Sequence, residues 1–351
     1  MLSRGSWYRP RRFDRVAALA ALALIVGAGG LIAPAARAAE PVTLTLYSGQ
    51  PMQTVDRLIA AFARESGIKV RVHEGEGPEI ANQIAQEGAY SHADVVFVEN
   101  SPELVLLDEK KLLAPVAPAV LKRIPARFSA QDGHWLGVLA RENVLAFNPA
   151  LIGESALPAS LTDLARPQWK GKIAIAPSDA DFLPLVRAVE VSAGKPAALA
   201  WLKGLKANAQ VFDDDEGVVA AVERGSVAAG IINNYYWARL RTETGAAKMR
   251  SRIYHFSHGD IGGLINVSGV AVLKSSKHPA AAQRFLAFLV SRPAQEMLAR
   301  GEIDFEYPLL PGVPANPLLK PFDQLQPPAI TMAELGDDQA SATLLREAGL
   351  L

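Results

Sequence analysis

The sequence predicts a two-lobed α/β protein, each lobe a mixed, mainly parallel sheet flanked by helices, and three observations carry that expectation. Strand-like and helix-like patterns alternate along most of the chain, and repeated βα units build parallel sheets. Roughly 313 residues follow an N-terminal targeting segment, more than one compact core usually holds. A late apolar stretch, "GLINVSGVAVL" (263–273), reads as a strand that can return to the first lobe, so that the chain crosses between lobes twice.

The elements follow in order. Val42–Leu46 alternates as a strand and ends in the turn Tyr47-Ser48-Gly49-Gln50. Val55, Leu58, Ile59 and Phe62 recur at helical spacing, with Gly67 as the stop. "IKVRV" (68–72) alternates again, and "GPEIANQIAQEG" sets Pro78 at a first helical position and Gly88 at the end. "ADVVFVE" (93–99) is a buried strand, and Ser101-Pro102 open another helix. "NVLAFN" (143–148) is the strand expected to hand over to the second lobe. There Lys172–Ala176, a helix over 196–206, "DDDEGVVAAVERG" and "SVAAGIINNYYW" repeat the pattern. The proline-dense tail from Pro308 to Pro328 cannot run as regular helix and is expected to wrap one lobe before a last helix, Ala340–Ala348.

The first 38 residues read as a signal peptide. Five arginines precede an apolar stretch from Val16 to Ile32, and Ala36-Arg37-Ala38 forms a cleavage pattern, which places the mature start at Ala39. A membrane anchor is the competing reading, and small residues at the end of the run favour cleavage. Arg11-Arg12 leaves Sec and Tat export both open. Cleavage removes six Arg and one Asp, leaving 30 basic against 35 acidic residues, a net of −5. Such a balance carries no nucleic-acid footprint. Without cysteine the fold uses no disulfide and the mature chain has no lipid attachment point.

No P-loop, dinucleotide GxGxxG, GxSxG or HExxH motif is present. His255 and His258 lie three apart, but "YHFSHGD" does not read as a helix, so a loop or packing role is favoured over zinc. Tyr235 and Tyr236 stand out because they directly follow a strand, where α/β lobes form pockets. Two adjacent phenols can be core aromatics, a stacking platform for an organic ligand, or a pair of hard oxygen ligands. A phenol ionises near neutral pH only beside a stabilising cation, and a small trivalent cation such as Fe³⁺ does this better than Ca²⁺ or Mg²⁺. Glu99, at a strand end of the other lobe, can add a carboxylate across a cleft; its plainer reading is a loop-capping acid.

"YSGQ" (47–50), "ADVVFVE" (93–99), "WLKGLK" (201–206), "AVERG…INNYYW" (221–237), "SGVAVLKSS" (268–276) and "EYPLLP" (306–311) together resemble the bacterial periplasmic ferric-ion-binding proteins. The resemblance spans essentially the whole mature chain. It implies the type II periplasmic-binding-protein fold with hinge strands between lobes, and a soluble receptor that hands Fe³⁺ to an inner-membrane ABC permease and its ATPase. It also implies a monomer in the periplasm, with no catalysis. The lobes are then expected at 39–141 with 266–316 and at 142–265 with 317–351.

By resemblance Tyr235 and Tyr236 match the two tyrosinate ligands and Glu99 the carboxylate ligand. Arg141 matches a basic residue near an anion site, its plainer reading being a surface ion pair, and Asn233 matches a polar residue that helps hold the anion. Gln50 is grouped with them from the "YSGQ" loop. Many members carry a ligating histidine where this chain has Pro51, which cannot coordinate. Asp179 and Asp215, with Ser178 alongside, fall where relatives hold an exogenous phosphate or carbonate at helix N-termini. Two readings follow: the aspartates cap the helices behind them, or they supply the missing negative charge and exclude a free anion, one of them serving as a direct metal ligand. Two other functions stay open: a receptor of the same fold for an organic cation such as a polyamine or thiamine, and a periplasmic hydrolase.

Overall fold

The computed structural model describes residues 42–301 and 305–351; the targeting segment read from the sequence lies outside them. β1 (Thr43–Ser48) leads to α1 (Met52–Ser66), which buries Val55, Leu58 and Phe62 and ends where Gly67 turns left-handed at φ 71°. β2 (Lys69–Glu74) and α2 (Gly77–Glu87) follow, the latter opened by Pro78. The "YSG" turn packs tightly on this helix, and a Cβ on Gly49 would stand 2.9 Å from the Gly77 Cα. Next come the fully buried β3 (Val95–Val98), α3 (Ser101–Glu109), β4 (Leu113–Ala114) and α4 (Pro118–Leu121).

β5 (Trp135–Phe147) is buried along all 13 residues. The strand expected over 143–148 is therefore only the end of a longer one. Its first part holds Arg141 and Glu142, charges that break the apolar pattern yet are each 1% exposed. Beyond it run β6 (Ile173–Ile175), α5 (Phe182–Ala193), α6 (Lys195–Asn208), β7 (Ala209–Val211) and α7 (Asp215–Glu223). β8 (Ala229–Asn233), α8 (Asn234–Thr244) and β9 (Arg252–Tyr254) come next. The chain returns through β10 (Ile265–Leu273), α9 (Pro279–Leu289), α10 (Arg292–Ala299) and β11 (Tyr307–Pro308).

Among the described residues the sheet path runs β2-β1-β3-β10-β5-β8-β6-β7. Its two ends are parallel, β1 with β2 and β3, and β6 with β7 and β8. The middle is antiparallel, where β10 pairs β3 and β5, and β5 pairs β8. β5 changes partner along its length: 135–142 face β10, while Asn143–Phe147 face β8.

After β11 the proline-rich tail stays irregular up to α11 (Met332–Leu335) and α12 (Gln339–Ala348). Buried Gln295 pins its start: its amide donates to Val138 O and its carbonyl accepts from the N–H groups of Leu309 and Leu310. α12 then packs on α5 and α6.

This arrangement decides where chemistry can occur. β1, β3, β6 and β8 each end at a loop or helix start facing one crevice, and the carboxyl ends of parallel strands are where such sheets bind ligands.

Candidate metal centre

A cavity of about 580 Å³ opens at those strand ends, with Glu76, Glu79 and Glu99 on one wall and Asp179, Tyr235 and Tyr236 on the other. A second cavity, lined by Gln50 among others, adjoins it and shares Pro51 and Glu99.

Tyr235 and Tyr236 open α8 directly behind β8. Asn234 fixes this corner, its amide oxygen accepting from Glu142 N–H and its nitrogen donating to Phe305 O. The two rings lie with centroids 4.1 Å apart, tilted by 30°, and the Arg239 guanidinium lies over both, at 5.5 and 5.7 Å. Tyr235 is 5% exposed and donates its hydroxyl to Asp181 at 2.8 Å. Burial raises the Tyr235 phenol well above its ordinary value, and Asp181 adds to the shift. Tyr236 is raised for the same reasons, burial first and Asp181 second. Both phenols are therefore neutral in the empty cleft, and a cation that binds them as phenolates must displace two protons.

Asp181 was not singled out from the sequence, yet it sits at the centre of the site. It holds the N-cap position of α5 but makes no side-chain cap bond. Its carboxylate instead accepts from Asn100 at 3.0 Å and from Tyr235, with Arg141 Nη1 at 3.8 Å. A capping acid that does not cap is a structural sign of a second role. In the sequence the signal was the pair of aspartates in "PSDADF", of which only the first drew notice.

Arg141 is no surface ion pair. It lies beneath the cavity between Asp181 and Glu306, with Glu306 3.4 Å from Nη1, and its Nε and Nη2 meet no partner among the described residues. Burial alone would lower its pKa, but Asp181 and Glu306 outweigh that and hold the guanidinium charged. Glu306 also accepts from Ser268, which ties the "EYPLLP" segment to β10.

Glu99 lines both cavities, and burial pushes its carboxyl up to about 7 against the pull of Arg141. Asp179 is pushed up to about 6, by burial first and Asp181 second. One of its oxygens accepts from Asp181 N–H and the other from Asp215 N–H, both at 3.0 Å. One side chain thus occupies the starts of α5 and α7. Asp215 is buried, accepts from Asn233 N–H at 2.9 Å, and so occupies the start of α8. Its carboxylate does not line the cavity. The cap of α7 is Asp214, which accepts from Gly217 N–H. Ser178 lines the cavity and donates to Asp213 O, while Asn233 is buried in the backbone corner. The structure thus brings Tyr235, Tyr236, Glu99 and Asp179 to one cavity, with Gln50 beside it and Arg141, Asn233 and Asp215 behind it.

His255 and His258 do not meet at a metal. His255 Nδ1 contacts Glu142 at 2.7 Å, and the His258 N–H donates to Gln326.

The profile for bacterial extracellular solute-binding proteins matches residues 57–326. This chain belongs to that family. It is 37% identical to an Fe(3+)-binding periplasmic protein of Serratia marcescens over 337 residues, which cover 96% of this chain and 99% of that one. The major ferric iron-binding protein of Neisseria meningitidis serogroup A is 35% identical over 327 residues, covering 91% and 97%. The structure of iron-bound HitA from Pseudomonas aeruginosa superposes with a TM-score of 0.84 at 42% identity, covering 88% of this chain and all of that one. This solute-binding protein shares its α/β fold with HitA.

Proposed function

We propose that this chain is a periplasmic receptor that captures Fe³⁺ in the cleft through Tyr235 and Tyr236 and passes it to an inner-membrane ABC permease. The observation that carries this reading is the close tyrosine pair at a strand–helix junction, beside Asp179 and across the cavity from Glu99, with Asp181 at one phenol. Two phenolates and one carboxylate match the charge of Fe³⁺, and hard anionic oxygens suit a small trivalent ion. The similar ferric-iron-binding proteins point the same way.

Two lobes, 39–141 with 266–316 and 142–265 with 317–351, move about β5 and β10 in this reading. Closure brings Glu99 toward the phenols and excludes water, which strengthens each charge interaction. Asp181 is the nearest base to take the Tyr235 proton as iron arrives. Export through the N-terminal segment delivers the chain to the periplasm as a monomer.

No exogenous phosphate is needed in this scheme. Asp179 and Asp215 already accept from the N–H groups of Asp181, Asp215 and Asn233 at or just before the first turns of three helices, which places carboxylates where a free anion would dock. Asp179 can also ligate the metal directly; Asp215 acts from behind the site.

An organic cation fits this cleft less well. Arg239 already sets a cation over both tyrosine rings and would repel a second one there.

Titration with ferric citrate under visible spectroscopy tests the proposal. Wild type develops a tyrosinate-to-iron charge-transfer band, and Tyr235→Phe and Tyr236→Phe each lose or weaken it. Full coloured binding in both variants would overturn the assignment.

A further inference from the structure

Away from the cleft, Asp108, Asp132 and His134 bring three potential ligand atoms within 4.8 Å of one another. Asp108 stands near the end of α3, the helix whose first residues border the cleft, and seven residues of helix put it about 10 Å further along. Asp132 and His134 flank Gly133, whose φ of 79° folds the turn before β5 and aims both side chains at α3. The left-handed φ, rather than the 2.9 Å approach of a Cβ to the movable Leu121 Cδ1, disfavours any other residue at Gly133.

The imidazole Nδ1 of His134 lies 2.7 Å from Asp108 Oδ1 and 3.0 Å from Asp132 Oδ2. The other Asp132 oxygen accepts from His134 N–H at 3.2 Å, which pins the turn and fixes the carboxylate. At metal–ligand lengths of ~2.0–2.2 Å, neighbouring ligands of an octahedral ion stand ~2.8–3.1 Å apart and those of a tetrahedral ion ~3.3–3.6 Å. The 3.0 Å edge falls in the octahedral range and the 2.7 Å edge just below it, both short of the tetrahedral spacing.

We propose that Asp108, Asp132 and His134 form one face of a second cation site, for a divalent first-row transition metal bound through one imidazole and two carboxylates. Water completes the shell, since the His134 side chain is 22% exposed and that of Asp132 48%. Calcium and magnesium prefer all-oxygen shells, and the ring nitrogen turns the choice toward zinc-like ions. The plain competitor is a proton: an imidazolium can donate from Nδ1 to one carboxylate at a time, whereas a divalent ion engages both.

The test uses the mature full-length chain, Zn²⁺ as probe and two readouts. In calorimetry, wild type and the Tyr235→Phe/Tyr236→Phe variant both show a Zn²⁺ event that falls at least about tenfold in affinity in His134→Ala and in Asp132→Asn. Asp132 is half-exposed, so its variant tests the site without disturbing a core. In NMR, Zn²⁺ shifts the His134 ring nitrogens of wild type, and the ferric charge-transfer band of His134→Ala is unchanged. A His134 ring that stays imidazolium and unmoved by saturating Zn²⁺, or a Zn²⁺ event unaltered by both substitutions, would overturn the site.

Discussion

The two walls of the cleft are built differently. The tyrosine wall is wired before any cargo arrives: Tyr235 to Asp181, Asp179 to the starts of α5 and α7, and Asp215 to the start of α8. The facing wall carries Glu99, raised to about 7 by burial, and Gln50, whose buried Nε2 has no partner among the described residues. In the proposed reading the wired wall fixes where the metal sits, and the wall with spare bonding capacity gains most when the cargo arrives. The difference predicts which substitutions matter.

The largest effect is expected on the wired side. Replacing both tyrosines by Phe should lower Fe³⁺ affinity by more than about a hundredfold, beyond the ~10–100-fold that loss of a supporting partner costs. Competition against a chelator of known strength measures it. Asp181→Asn should fall within that ~10–100-fold range; its conserved shape keeps the hydrogen bonds to Asn100 and Tyr235 geometrically possible but removes the charge. An unchanged affinity would mean that the Tyr235 contact is packing only.

The pH response should separate the two states of the cleft. Glu99 at about 7 and Asp179 at about 6 lie above their unfolded values near 4. Between about pH 4 and 7 the folded chain therefore holds more protons than the unfolded one, and the stability of the empty protein falls as pH rises through that window. Buried Asp338, pushed up to about 8 chiefly by burial, extends the same trend slightly higher. Metal binding has the opposite sign, since Fe³⁺ competes with protons for the same oxygens, so retention weakens as pH falls. Thermal melts of empty protein and iron retention, each followed from about pH 5 to 8, should slope in opposite directions. The smallest effect is expected for Glu216→Gln. Glu216 is exposed and pairs with Arg239 at 2.8 Å, and such pairs contribute ~0–1 kcal/mol, so iron affinity should change by less than about fivefold.

Much of this was legible in the sequence, for identifiable reasons. Helix starts and stops at Pro78, Gly67 and Gly88 declare themselves because proline and left-handed glycine have few other uses. The tyrosine pair was visible because its strand-end position is a local property. β5 was read short because Arg141 and Glu142 interrupt an apolar run. Only the fold shows that Asp181 and Glu306 flank the Arg141 guanidinium and that His255 meets the Glu142 carboxylate. Asp181 itself was hidden by its ordinariness, since an aspartate before a helix reads as a cap until its carboxylate is seen turning away. Asp215 illustrates the converse: its position suggested a ligand, while its side chain serves the backbone of Asn233.

The claim that the tyrosine wall is complete without an added anion has a direct test. Fe³⁺ affinity of wild type is measured at fixed free metal across a series of phosphate concentrations. The account predicts a flat response, because carboxylates already occupy the starts of α5, α7 and α8. An affinity that climbs steeply with phosphate would contradict it.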